Sequence, residues 1–209
     1  YLDSVDREAN RPTLGALFFG YVHENSFKEN TLQIKSPISL FQFNTVQGYH
    51  TALAIAFTDR NEEKGSVFRA STDLVYGFSD KRFRPQATVS YRFNNFSRPE
   101  LTFSFGNELA QFNLNEPIWP FINTISSLFF EDNYAKFYDR SFFGLAYEQE
   151  VLNGLRIEAK VRHEDRKPVF NTSNTVYIDQ DDDVYTANNP LAPDDFSGSI
   201  FLFRFSTIS

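Results

Sequence analysis

Apolar and polar side chains alternate along several segments of this chain, as they do in a β-strand whose two sides face different surroundings. Between Phe83 and Phe93 the odd positions are apolar and the even positions are polar or cationic. Residues 155–162 repeat this order, with Leu, Ile, Ala and Val alternating with Arg, Glu, Lys and Arg. Because successive side chains of a strand point to opposite sides of a sheet, the pattern predicts a sheet with one apolar and one polar face.

The pattern predicts an all-β antiparallel fold of about eight strands. Strands are expected near residues 31–43, 49–57, 68–78, 83–93, 101–105, 143–151, 155–162 and 200–205. Residues 1–12 are expected to be a polar lead-in to a β-segment spanning residues 13–209, in which residues 164–197 form a long outer loop. After Pro120 the apolar spacing changes to about 3.6 residues, which predicts a short helix from Pro120 to Phe130.

Two tight hairpins follow from the need to keep the apolar faces of paired strands on one side of the sheet. We expect Phe78 to pair with Phe83. In the second hairpin Val151 is expected to lie opposite Leu155, which leaves residues 152–154 (Leu-Asn-Gly) as a three-residue loop. Glycine suits the last position of such a loop because it adopts a left-handed conformation without steric penalty.

The residues alone leave two media open for the apolar face. A soluble β-sandwich or lipocalin-like barrel would turn this face toward a protein core, whereas a transmembrane β-barrel would turn it toward lipid. Long polar rows, aromatic residues near strand ends, and tight turns alternating with long polar loops favour the membrane barrel. Strand counting puts the Asp80-Lys81 turn at the same end as the 164–197 loop, unless an extra crossing lies within residues 107–136.

Composition excludes several classes of protein and site. The 209 residues carry a formal charge of −7, which argues against a nucleic-acid-binding protein. The absence of cysteine excludes disulfides and thiolate metal sites. No stretch approaches the ~20 consecutive apolar residues of a membrane helix, whereas a transmembrane strand needs only ~9–11 residues. A chain that begins at Tyr1 and contains no methionine is expected to be a mature or excised segment.

Candidate catalytic and metal-binding residues are few, and none forms a known motif. The three histidines, His23, His50 and His163, are far apart in sequence and are expected to be ordinary polar-face or loop residues. Glu148 and Glu150 share a strand face, where we expect them to offset neighbouring arginines rather than to act as an acid–base pair. The candidate metal ligands Asp181, Asp182 and Asp183 lack the spacing of a calcium-binding loop. We therefore expect no cofactor and no catalytic residue.

The chain resembles a family of uncharacterised Bacteroidota outer-membrane proteins over nearly its whole length, most specifically from Pro117 to Asn174. The resemblance is carried by Asn-Glu-Pro-Ile-Trp-Pro-Phe-Ile-Asn from residue 115, by Tyr-Glu-Gln-Glu-Val-Leu-Asn-Gly-Leu from residue 147, and by Glu-Asp-Arg-Lys-Pro-Val-Phe-Asn-Thr from residue 164. Phe-Asn-Thr-Val-Gln-Gly from residue 43 and Tyr-Gly-Phe-Ser from residue 76 also fit. Members of this family carry a carboxypeptidase-regulatory-like β-sandwich followed by a large β-barrel, and the resemblance places this chain in the first part of the barrel. No catalytic residues are established for the family, so none are carried over.

The resemblance implies that the apolar face meets lipid and that the polar face lines a lumen. The expected lipid-facing residues are Tyr49, Leu53, Ile55, Phe57, Phe68, Leu74, Tyr76, Phe78, Phe83, Val89, Tyr91, Phe93, Leu145, Tyr147, Leu155, Ile157 and Val161. The expected lumen-facing residues are Arg69, Asp73, Arg84, Arg92, Glu148, Glu150, Arg156, Glu158, Lys160 and Arg162.

Our first hypothesis is a non-enzymatic barrel of the bacterial outer membrane, with a scaffold or transport role. Its expected partners are membrane lipid and other outer-membrane proteins of a larger complex. The alternatives are a surface enzyme that uses lumen or loop carboxylates, and a soluble ligand-binding barrel.

Overall fold

The chain forms a single antiparallel sheet. The computed structural model describes residues 6, 10–36, 38, 40–113, 117–178, 185–188 and 196–207, except for the side chain of Leu17. Within these residues there are ten strands in one sheet and two short helices. The prediction of an all-β antiparallel fold with a short helix is confirmed.

The helices are α1 (Ala16–Phe19) and α2 (Pro120–Phe130). The strands are β1 (Tyr21–Asn25), β2 (Asn30–Ile34), β3 (Gln42–Asn44), β4 (Gly48–Asn61), β5 (Ser66–Gly77), β6 (Phe83–Arg92), β7 (Glu100–Gln111), β8 (Phe137–Leu152), β9 (Leu155–Pro168) and β10 (Phe196–Thr207). Their order in the sheet is β1-β2-β4-β5-β6-β7-β8-β9-β10, with β3 paired to β4 beside this path.

The sheet is open rather than closed. Strands β1 and β10 form its two edges, and no hydrogen-bonded pairing joins them among the described residues. The prediction is an incomplete segment of a barrel; because the sheet is not closed, a barrel is not shown, and the ten strands exceed the expected number of about eight. The extended segment expected at residues 31–43 divides into β2 and β3, and the polar sequence of β1 has no alternation that would have revealed it.

The two ends of the sheet differ in the length of their connections. Residues 26–29, 62–65, 93–99 and 153–154 make the turns at one end. The connections at the other end are residues 35–47, 78–82, 112–136 and 169–195. Strands β7 and β8 pair directly, so no extra crossing separates them, and the Asp80-Lys81 turn lies at the end of the long connections, as strand counting suggested.

The predicted helix is confirmed as α2, with the expected bounds. Pro120 occupies its first turn, where the missing N–H has no intrahelical acceptor to lose. The helix ends at Phe130 and is capped by Glu131, which adopts a left-handed conformation with φ 55°. The next residue, Asp132, donates its backbone N–H to Ser126 O at 3.1 Å, which satisfies a carbonyl of the last turn.

Both predicted hairpins differ in detail from the structure. Phe83 pairs with Tyr76 rather than with Phe78, because β5 ends at Gly77. In the second hairpin Leu152 lies opposite Leu155, and the pairing shifts around Val151, which is the extra residue of a bulge. The predicted three-residue loop is thus a two-residue Asn-Gly turn beside a bulge. Because a bulge supplies the extra residue, the strand faces keep the expected match.

The long connection after β9 is shorter than residues 164–197. Strand β9 continues through Pro168, and β10 begins at Phe196, so both ends of the expected loop lie in strands. The polar sequence of residues 164–168 resembles a loop, yet these residues pair with residues 138–142 of β8. Only Glu164 of this segment is buried, and its ion pairs with Arg140 and Arg166 explain why a charged segment can remain in a strand.

The buried apolar cluster lies at the long-connection end rather than under the sheet. Val46, Ala135, Phe137 and Val169 form this cluster, and Leu109 packs against it. We call the surrounding structure, residues 42–47, 117–136, 169–178 and 185–188, the loop cap. The position of this cluster leaves the apolar face of the sheet without a core of its own among the described residues.

Candidate functional site

The strand register sorts the predicted residues onto two faces. Leu53 pairs with Leu74, Tyr91 with Phe68, and Leu145 with Val161, so the residues expected to face lipid share one side of the sheet, which we call the outer face. The residues expected in the lumen share the opposite side, the inner face, as the pairs of Arg92 with Glu100 and of Glu150 with Arg156 show. Directly paired residues point to the same side of a sheet, which justifies this assignment.

Burial on the two faces is the reverse of that in a water-soluble sheet. On β6 the side chain of Phe83 is 56% exposed, whereas its inner-face neighbour Arg84 is 3% exposed. On β10 Phe203 is 63% exposed, and on the inner face of β9 Glu164 is 1% exposed. In a soluble sandwich the aromatic face would be covered by a second layer. Among the described residues no second sheet covers it.

The apolar residues of the outer face form a band that runs obliquely across the strands. One row of paired residues crosses the outer face: Phe57, Ala70, Val89, Phe103, Leu145 and Val161. On β4 the band extends from this row toward the loop cap, as far as Tyr49. On β9 it extends from the row toward the short turns, as far as Leu155. The band centre shifts by roughly 1 to 1.5 residues per strand, which at ~3.3 Å per residue and ~4.8 Å between strands is a tilt of about 35–45°.

Ion pairs connect the strands across the inner face. The buried Glu164 lies between Arg166, which donates to it, and Arg140, whose Nη1 is 3.5 Å away. Arg140 also donates to Glu108 on β7, so this network joins three strands. The ring of Phe142 lies between Arg140 and Arg162, at 5.5 and 4.6 Å from the two guanidinium carbons. Such packing holds charges in place without an aqueous shell.

A second set of charges lies nearer the short turns. Arg69 donates to Glu100 at 3.1 Å, and Arg92 lies 3.4 Å from the same carboxylate. Glu148 lies 3.8 Å from Arg156.

The two carboxylates considered as an acid–base pair therefore have structural partners. Glu148 has an arginine beside it, and Glu150 accepts a hydrogen bond from the Gly154 N–H at 3.0 Å, which supports the hairpin turn.

The histidines do not form a common site. His50 lies on the inner face near Asn44, and His163 lies on the outer face, 3.1 Å from the Ser199 hydroxyl. His23 contacts Tyr21 on the edge strand β1. Among the described residues no group of three or more potential ligands could hold a metal ion. The candidate ligands Asp181, Asp182 and Asp183 lie outside the described residues.

Polar side chains hold the loop cap together, and sequence reasoning did not predict this. The Asn188 side chain accepts from Phe137 N at 2.8 Å and donates to Phe137 O and Val169 O at 2.8 and 2.7 Å. It therefore joins the start of β8 to the residue after β9.

A second buried asparagine has a similar role in the cap. Asn133 donates to Thr186 O at 2.7 Å and accepts from the Thr186 hydroxyl at 2.7 Å, while its amide also reaches Thr45 Oγ1 at 3.3 Å. Buried polar groups that are satisfied in this way fix a single arrangement of the loops.

Burial also perturbs ionisable groups within the cap. The hydroxyl of Tyr185 lies 2.6 Å from Ser127 O and 2.7 Å from Thr175 O. Burial, together with the nearby Glu131 carboxylate, raises the pKa of Tyr185 to about 12. Burial lowers the pKa of Lys136, whose ammonium group donates to Thr186 O at 3.1 Å.

None of the helices among the described residues is long and apolar enough to span a membrane.

Comparison with known proteins identifies the family of the chain but gives it no activity. Neither the curated proteins nor the solved structures include a match to the chain. The C-terminal domain of the family of unknown function DUF5686 matches residues 15–204, which is nearly the whole chain. The chain therefore belongs to the DUF5686 family, and the match falls on the C-terminal domain of that family.

Proposed function

We propose that this domain forms part of the wall of a transmembrane β-barrel in a bacterial outer membrane. The observation that carries the proposal is the reversed burial of the two faces, with aromatic side chains such as Phe83 exposed and the charged side chains of Arg84 and Glu164 buried. A bilayer supplies the apolar medium that the outer face lacks in the isolated chain. The resemblance to Bacteroidota outer-membrane proteins supports the same compartment.

Two geometric features support a membrane barrel over a soluble one. The oblique apolar band corresponds to a strand tilt of about 35–45°, which is the range found in β-barrels. The turns at one end of the sheet have two to seven residues, whereas three of the four connections at the other end have thirteen or more, as in outer-membrane barrels with short periplasmic turns and longer outer loops. In a closed barrel, the free edges of β1 and β10 would be paired.

Within such a barrel the inner face would serve as a stiff, charged lining. Most of its charges have partners on neighbouring strands, as Glu164 and Glu100 illustrate. Paired charges suit a structural wall or a selective lumen in a larger membrane complex. The structural contacts of Glu148 and Glu150 support a non-enzymatic role over the use of these carboxylates in catalysis.

A single-cysteine scan of β7 tests the proposal, since the chain contains no native cysteine. Cysteines placed singly at residues 101–105 would carry a spin label in the protein folded into phospholipid vesicles. We expect labels at Leu101, Phe103 and Phe105 to be accessible to oxygen, which is concentrated in the bilayer. Labels at Thr102 and Ser104 should be accessible to a water-soluble nickel complex instead. Equal nickel accessibility at all five positions, or a monodisperse protein in detergent-free buffer, would refute the membrane barrel.

A further inference from the structure

The sheet has a seam between β6 and β7 on the side of the loop cap. Their pairing runs from Arg92 with Glu100 to Gln86 with Gly106 and stops there. Strand β6 nevertheless begins three residues earlier, at Phe83, and β7 continues to Gln111 in its pairing with β8. Two adjacent strands of one sheet therefore diverge while each keeps its other neighbour.

The sequence at the point of divergence explains the seam. Pro85 has no N–H and cannot donate to a ladder at this position. Gly106 has φ +149°, and a Cβ there would lie 2.4 Å from Gln86 Cα and 2.5 Å from Pro85 O. The close approach of the two backbones is possible only with glycine, and beyond it β7 leaves β6.

The seam opens into two adjoining cavities. Outer-face side chains line the first, and the second passes between β6 and β7 to the inner-face residues Arg84 and Arg140. The first, of about 540 Å³, is mainly apolar, with Pro85, Ala87, Phe105 and Phe143 in its lining. The second, of about 280 Å³, lies nearer the cap and contains charged groups. The cavities share Asn107, Ser141 and Asp165, so they form one continuous groove with an apolar and a polar part. The shared residues stand at the polar border of the apolar band.

The charges of the second cavity favour a phosphate group. Its lining contains four cations, Arg82, Arg84, Arg140 and Lys167, and two carboxylates, Asp139 and Asp165. Arg140 is engaged by Glu108 and Glu164, and Asp139 is shared by Arg82 and Arg84. Lys167 has no ion pair within the part of the chain that the structure describes.

Arg84 supplies an independent indication of a ligand. Its side chain is almost fully buried, with Nε donating to Asp139 Oδ1 at 2.7 Å and Nη2 lying 2.7 Å from Asp80 Oδ2. Its Nη1 is buried without a hydrogen-bond partner among the described residues, and the Nη2 contact with Asp80 is an ion pair that lacks the geometry of a hydrogen bond. A buried guanidinium N–H without an acceptor costs free energy, and a rotation of the Arg84 side chain into the second cavity, which it lines, would bring this N–H to a phosphate oxygen.

We propose that the β6–β7 seam binds one membrane phospholipid, with an acyl chain in the apolar cavity and the phosphate beside Lys167 and Arg84. The inference rests on the proposed membrane barrel, because it requires the polar border of the outer face to lie at the headgroup level. The combined groove falls within the volume range of small-molecule sites. Binding at the seam would fill the gap that the missing β6–β7 hydrogen bonds leave in the wall.

Native mass spectrometry of the folded protein in detergent tests the proposal with three probes. Phosphatidylglycerol carries both recognised groups, diacylglycerol with the same chains lacks the phosphate, and inorganic phosphate lacks the chains. We expect phosphatidylglycerol to bind at one site and at least ten-fold more tightly than either of the others. Equal binding of phosphatidylglycerol and diacylglycerol would reduce the seam to an apolar crevice and overturn the proposal. Equal binding of inorganic phosphate would indicate an anion site without a lipid, which also overturns it.

Matched variants locate the binding. Lys167→Gln should weaken phosphatidylglycerol about five-fold, since a cation near a phosphate-bearing surface contributes about that factor. Lys64→Gln, at the opposite end of the sheet, should have no effect. Ala87→Leu should fill the groove and weaken phosphatidylglycerol, whereas Ala70→Leu, on the outer face away from the seam, should not. If each variant behaves like its control, the seam is not the site.

Failure of this proposal can be told apart from failure of the membrane barrel. A normal spin-label alternation on β7 together with unselective lipid binding would overturn the seam alone. Loss of the alternation would overturn the barrel, and with it the basis for placing the seam at a membrane surface.

Discussion

Replacing Phe103 by lysine measures directly whether the outer face lies in hydrocarbon. Phe103 stands in the middle row of the apolar band on β7, with its ring 5.0 Å from that of Phe143 in an edge-to-face contact and 5.5 Å from that of Phe105. A lysine on the lipid face of a barrel costs about 2–4 kcal/mol at the bilayer midplane. In water the same position is already partly exposed, and a lysine there would cost little beyond the lost ring contacts.

Two control variants separate charge from shape. Phe103→Leu removes the aromatic contacts, which are worth about 0.5–1.5 kcal/mol each, and adds no charge. Thr102→Lys places the same charge one residue away, on the inner face. In phospholipid vesicles we expect Phe103→Lys to lower the free energy of unfolding by about 2–4 kcal/mol more than Phe103→Leu. Thr102→Lys should stay within about 0.5 kcal/mol of the parent protein.

The assay is a guanidinium titration of vesicle-embedded protein, followed by fluorescence of Trp119, the single tryptophan of the chain, and by migration of unheated samples on a gel. Equal free energies for Phe103→Lys and Phe103→Leu would show that the outer face is not in hydrocarbon. If Thr102→Lys lowers the free energy of unfolding as much as Phe103→Lys does, the assignment is also refuted, because both faces of the sheet would then lie in apolar surroundings.

Three further substitutions test the cap and the hairpin. Asn188→Ala leaves buried backbone groups of Phe137 and Val169 without partners and should lower the free energy of unfolding by about 2–3 kcal/mol, while exposed Asn153→Ala should not. Gly154→Ala should cost about 1 kcal/mol in a denaturant titration, since Gly154 has φ 81°. Burial raises the pKa of Tyr185 from its ordinary value of 10.0 to about 12. The Tyr185 hydroxyl therefore contributes fully to the free energy of unfolding below pH 10, and this contribution is lost as the pH rises through 12. The stability difference between the parent and Tyr185→Phe should therefore be constant to pH 10 and then shrink; a constant difference to pH 12 would contradict this.

The two faces were predictable because strand alternation is a local property of the sequence. Each pair such as Tyr91 with Phe68 follows once alternating segments are paired with like faces together. The bulge at Val151 was not predictable in this way. A three-residue loop and a two-residue turn with a bulge give the same face matching, so the hydrophobic pattern cannot distinguish them.

The loop cap was missed for a different reason. Asn133 and Asn188 lie in polar stretches that resemble solvated loops. The partner of Asn133, Thr186, is 53 residues away in sequence, and the partner of Asn188, Phe137, is 51 residues away. Only the folded chain shows that these amides are buried and satisfied. The seam could not be predicted for a related reason. Pro85 and Gly106 are far apart in sequence, and only the strand register shows that their backbones lie in contact.

The distribution of polar contacts also explains how such a sheet holds its shape. Because the apolar side chains lie on the exposed face, their burial stabilises the fold only when another apolar medium covers them. Strand-to-strand contacts on the inner face, centred on Glu164, and the asparagine contacts of the cap are independent of that medium. A sheet whose outer face will lie in a bilayer therefore needs polar contacts that fix the strand register before lipid covers that face. On this reasoning, removing Glu164 should impair folding into the membrane more than removing any single outer-face aromatic residue, since breaking a buried ion-pair network leaves uncompensated charge.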